Sequence, residues 1–97
     1  MFAANTVDEI KRLLQRNKRR LYKELHQSKE AMFLIRKSTH STLTSEEKEK
    51  IKEQLLDIFK TIPAFAIFIL PGGSLLLPLV IKLIPDILPS AFREDSE

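Results

Sequence analysis

The stretch Thr61-Ile-Pro-Ala-Phe-Ala-Ile-Phe-Ile-Leu-Pro-Gly-Gly-Ser-Leu-Leu-Leu-Pro-Leu-Val-Ile81 contains no charged residue. Its length of twenty-one residues would let one continuous helix cross about 30 Å of hydrocarbon. From Ile62 to Leu70 there is no polar face at all, and a helix apolar all round must be buried in protein or lipid. Pro71, Gly72, Gly73 and Ser74 then interrupt the run, because proline disfavours helix in the residue before it and glycine costs about 1 kcal/mol in a helix interior. This divides the segment into two half-length helices joined by a hinge, the size associated with re-entrant or buried pieces. In the second half Pro78 suits a first turn, whereas Pro85 is expected to kink or end the helix. Two environments fit: a membrane, or the core of a three- or four-helix cluster.

The rest of the chain has the opposite character. Met1 to Lys60 carries fourteen Lys/Arg and nine Asp/Glu, so the mean hydropathy of −0.13 averages two unlike halves. Thr6 and Glu9 form a capping box, which places a helix start near Val7. Val7, Ile10, Leu14, Leu21, Leu25, Met32 and Ile35 recur at helical spacing, with Asn17 and Ser28 as polar interruptions. This reads as one long amphipathic helix to about Lys37. Hydroxyl residues around His40 mark a turn from Ser38 to Thr44, since such side chains compete for backbone bonds. Thr44 and Glu47 make a second capping box, and Ile51, Leu55, Ile58, Phe59 and Ile62 give the next helix its buried stripe. The short turn implies an antiparallel pair.

The expected fold is therefore all-α: a long helical hairpin followed by a broken, proline-rich apolar helix pair. Three parts follow: a charged amphipathic hairpin over 1–60, an apolar membrane-associated or partner-buried segment over 61–92, and an acidic tail over 93–97. Asp8 and Glu9 follow too soon after the start for a secretory signal. Lysine and arginine excess places the N-terminal half on the cytoplasmic or matrix side of any membrane crossed.

Chemistry-bearing patterns are few. The chain has no cysteine, which excludes disulfides and thiolate sites. No nucleophile elbow, zinc-protease helix or calcium loop is present, so the sequence gives no ground for an enzyme. His26 and His40 have no ligand-spaced companion, and neither metal nor cofactor is expected. Lys11, Arg12, Arg16, Arg19, Arg20 and Lys23 cover one face of the first helix without an intervening acid. That face is either simply solvated or binds an anionic surface, lipid headgroups or ribosomal RNA. Tyr22 is its lone aromatic, which speaks against sequence-specific nucleic-acid reading. Lys82 and Asp86, four apart, are either border charges of an apolar helix or a pair that handles a cation or proton. The Gly72-Gly73-Ser74 loop could offer amides to an anion, but it lacks the lysine of a phosphate loop and reads better as a hinge.

Ten residues carry a more specific pattern: Leu76, Leu77, Pro78, Lys82, Leu83, Pro85, Leu88, Pro89, Ser90 and Phe92. Their spacing is L-L-P, three apolar residues, K-L, one residue, P, two residues, L-P-S, one residue, F. It resembles the membrane-segment signature of the leucine-zipper EF-hand transmembrane (LETM-like) family, and the likeness extends over roughly Leu56 to Phe92. The resemblance implies a short bacterial-type relative at an inner membrane, cytoplasmic or mitochondrial, concerned with potassium/proton or calcium/proton exchange. It also implies a ribosome link; the apolar segment itself implies contact with membrane lipid, and a single short broken span needs a second copy or a protein partner to form a pathway. Family members carry an acid four residues before the signature's first proline, and that position is Ser74 here. The departure favours anchoring over transport by this chain alone. The other open reading is a soluble helical interaction module that binds a protein or ribosomal partner.

Overall fold

The computed structural model describes residues 6–92, apart from the side chain of Ser90; the acidic tail at 93–97 lies outside the described residues. The chain is all-helical. Helices α1 (Thr6–Arg16), α2 (Lys18–His26), α3 (Lys29–Ser38) and α4 (Ser45–Phe59) precede two 3₁₀ segments, Pro63–Phe68 and Gly73–Leu76, and helices α5 (Leu77–Ile87) and α6 (Pro89–Phe92) close the described chain.

One long first helix was expected, and three are found. The breaks fall on the two polar residues that interrupt the apolar stripe. At Asn17 the side-chain amide donates to the Leu13 carbonyl at 2.9 Å, competing with the backbone for that acceptor. Asn17 itself leaves the helical region, with φ −114° and ψ 20°. At Ser28 the backbone is extended, and the hydroxyl accepts from the Ala31 amide as an N-cap. The same hydroxyl donates to Gln54 Oε1 at 3.0 Å, and Gln54 Nε2 donates to Glu30 at 3.0 Å. Further along, Lys37 pairs with Glu47. Together these contacts run α3 antiparallel to α4.

The start of α4 is the capping box read from Thr44 and Glu47. The Glu47 amide donates to the Thr44 hydroxyl at 3.1 Å, and the Thr44 amide donates to the Glu47 carboxylate at 2.9 Å. The expected stripe of this helix, with Ile62 beyond its end, is buried throughout. Of the first stripe, Ile10, Leu14, Leu21, Leu25 and Ile35 are buried, Met32 is half-buried and Val7 is exposed.

The first half of the apolar segment is a 3₁₀ turn where an α-helix was expected. Pro63 forces the preceding Ile62 into extended backbone, φ −122° and ψ 102°. In a 3₁₀ helix, residues three apart eclipse one another. Ile62, Phe65 and Phe68 have that spacing, and all three are fully buried. The rings of Phe65 and Phe68 pack on Phe59 of α4 at centroid separations of 4.9 and 5.2 Å, geometry in which each pair adds about 0.5–1.5 kcal/mol beyond its area. Ile67, Ile69 and Leu70 are left exposed.

In the second half, of the kink or end expected at Pro85, the end does not occur there; α5 continues to Ile87, with the proline inside it. Pro78 sits in the first turn, where its missing amide costs nothing. Leu77, Val80, Leu83, Ile84 and Ile87 line one face of α5 and enter the same core as α1 to α4. That core is one cluster spanning both compositional halves of the chain. Helix α5 lies along α1 in the same direction. A small crevice is lined by Glu9, Leu13, Phe68 and Leu76, and a groove at the opposite end by Gln15, Arg16, Ile87 and Leu88. Among the described residues no helix is long and apolar enough to cross a membrane.

Candidate functional site

Lys11, Arg12, Arg16, Arg19, Arg20 and Lys23 are all exposed on α1 and α2. Arg20 also donates to the Thr61 carbonyl at 2.8 Å. That carbonyl follows the end of α4, where unpaired helix carbonyls collect and a cation is favoured. Arg20 therefore has a structural use that its place in a basic run concealed. Arg36 does the same at longer range, reaching the Ala91 carbonyl of α6 at 3.4 Å. Neither clamp has a signal in the sequence, because each acceptor is a backbone group dozens of residues away.

Arg16, Lys18 and Arg19 surround the half-buried Tyr22 at a groove of about 720 Å³, closed on its far side by Ile87, Leu88 and Pro89. The Tyr22 ring meets His26 edge-on at 4.5 Å. The groove thus joins the basic face to the end of the signature helix, with an apolar wall and a cationic rim. Such a surface presents positive charge beside an apolar wall.

Lys82 and Asp86 both lie exposed on α5. Their side chains are not joined by any ion pair found among the described residues. Lys82 instead faces a second groove, shared with Lys48 and Lys52 of α4. Among the described residues no polar or charged side chain is buried.

The ten-residue pattern takes on a structural meaning in this fold. Leu77, Leu83 and Leu88 are buried, Leu76 and Phe92 pack half-buried against the core, and Pro78 and Pro89 each occupy the first turn of a helix. The pattern thus records a core stripe punctuated by helix starts. Pro71 to Ser74 form a packed turn. Gly72 has φ +87°, which favours glycine. Gly73 is buried, and a Cβ there would sit 1.9 Å from the Ile67 carbonyl oxygen.

Comparison with known proteins identifies the pattern. The family model described as LETM1-like, RBD matches residues 43–97. The mitochondrial proton/calcium exchanger protein of Drosophila melanogaster is 39% identical over 56 residues, 58% of this chain and 6% of that protein. LETM1 domain-containing protein YLH47, mitochondrial, of Saccharomyces cerevisiae is 33% identical over 64 residues, 66% of this chain and 14% of that protein. LETM1 domain-containing protein mdm28, mitochondrial, of Schizosaccharomyces pombe is 36% identical over 52 residues, 54% of this chain and 11% of that protein. No solved structure matches. The chain spans only 6–14% of the length of these relatives. Because the matched region runs from the turn before α4 through the whole signature helix, the chain belongs to the LETM1-like family.

Proposed function

We propose that this chain is a helical anchoring module of a cation/proton homeostasis system at an inner membrane of mitochondrial or bacterial type. The observation that carries the reading is the family match over residues 43–97, together with a relative named as a proton/calcium exchanger. Anchoring is preferred to transport on two grounds. The buried part described is wholly apolar, so it holds no charged group to exchange a cation. Lys82 and Asp86, the charge pair read as ion-handling, lie on the surface and not in the core. The basic face of α1 and α2 meets the anionic headgroups, each Lys or Arg near such a surface contributing about 1 kcal/mol.

Co-sedimentation with vesicles tests the anchoring, and an ion-sensitive dye inside the same vesicles tests transport. Binding to anionic vesicles that is lost in high salt and weakened by Arg16→Glu with Arg19→Glu, without flux above empty vesicles, is the expected result. Flux carried by the chain alone would contradict it. A second reading is an interaction module that docks through the same basic face on a protein or ribosomal surface. It draws support from the absence, among the described residues, of a helix long and apolar enough to cross a membrane. Retention by ribosomes with no affinity for anionic vesicles would select it.

A further inference from the structure

A groove of about 830 Å³ lies between α4 and the start of α5, and it shares no lining residue with the basic groove beside Tyr22. Its floor is apolar, and Leu75 on its edge is 83% exposed, an unusual state for a large aliphatic side chain with apolar neighbours. Lys48 and Lys52 stand on the α4 bank, four residues apart and so on one helix face. Lys82 stands on the α5 bank. Among the described residues Glu49 is the only acid in the lining, which therefore carries net positive charge.

We infer that this groove receives a short amphipathic helix of a protein partner, with leucine-like residues on the inward stripe and acids on both flanks. The placement of charge selects this occupant. A single anionic lipid presents one headgroup and is matched by cations gathered at one mouth of a groove. Here the ammonium groups stand on opposite banks, the arrangement that pairs with acids flanking an apolar stripe, as the e and g positions do in coiled coils. The length agrees as well. From Leu75 to Lys82 the wall rises by roughly 11 Å, at about 2.0 Å per residue in the 3₁₀ turn and about 1.5 Å along α5, which spans the i to i+7 anchors of a helix laid in a groove. This inference is independent of the cation-homeostasis reading.

The test is fluorescence anisotropy of the full 97-residue chain with a dye-labelled fourteen-residue probe peptide that carries leucines at i, i+3, i+4 and i+7 and glutamates beside them. Saturable binding is expected. It should weaken at least tenfold with Leu75→Asp, and at least tenfold with Lys52→Glu plus Lys82→Glu. All three residues are exposed, so far-UV spectra and melting temperatures should not change. Equal binding of a lysine-flanked version of the probe would overturn the inference, as would an affinity indifferent to these substitutions. Anionic vesicles that bind through the same residues while the probe does not would assign the groove to lipid, and would equally overturn it.

Discussion

Gly72 and Gly73 are adjacent and chemically identical, yet the fold asks different things of them. Gly72 needs a left-handed backbone and has open space around it; Gly73 has an ordinary backbone but no room for a methyl group. Replacing Gly72 with alanine should therefore cost about 1–2 kcal/mol, the left-handed penalty of an L-residue. Gly73→Ala forces the turn away from the Ile67 carbonyl and should cost more, about 3 kcal/mol or above, as overpacking against backbone does. Urea unfolding of the two variants checks the order, and a reversed order would mean the turn is not packed as described. At Glu47 the contribution is electrostatic. The bond from Lys37, and then the Thr44 amide, hold its carboxyl below the usual glutamate value of 4.5. A carboxyl with a lowered folded-state pKa stabilises the fold above its unfolded value, and that contribution is lost as pH falls through the folded value. Melting temperature should therefore fall on acidification from pH 4.5 downward, and Glu47→Gln should flatten that part of the profile. An unchanged profile would show that the capping box contributes no pH dependence.

Among the elements, α4 was the most legible, because its cap and its stripe both follow local rules. The long first helix was only half legible. Asn17 and Ser28 appear in the sequence as polar interruptions, but whether such a residue sits on a helix or breaks it depends on its partners. For Ser28 the deciding partner is Gln54, twenty-six residues away. Ser28→Ala removes both the cap and this link, and a cost of about 1–2 kcal/mol is expected from the cap alone. Gln54→Ala should cost less in the Ser28→Ala background than alone, since the Ser28 bond is then already gone while the bond to Glu30 is lost in both; a double-mutant cycle checks this, and full additivity would contradict the link. The first apolar half was misread because uniform hydrophobicity hides periodicity. Its spacing of three survives only in side-chain size, with Ile62, Phe65 and Phe68 separated by smaller or exposed residues. The ten-residue pattern was legible as a family mark, whereas its role as a core stripe emerged only with α5 placed beside α1.

At the scale of the molecule, composition suggested two halves and the core unites them. Phe65, Phe68, Val80 and Ile84 lie fully buried in the same cluster as Leu14, Leu21 and Leu25. Hydropathy along the chain could not show this, because it does not record which residues of one half pack against the other, as Phe65 and Phe68 do on Phe59. The proposed helix-receiving groove depends on this packing, since it exists only where α5 is seated beside α4, and the groove beside Tyr22 likewise needs the end of α5 against α1 and α2. The absence of cysteine allows a single spin label to be placed at will on the intact chain. With a label at Gln15→Cys the account predicts strong paramagnetic broadening of the Ile87 and Leu88 amides; with one at Glu9→Cys it predicts the same for Phe68 and Leu76. Both results are expected in aqueous buffer without lipid. If those amides kept their full intensity in buffer, and became ordered only on addition of vesicles or detergent, the shared core would be contradicted.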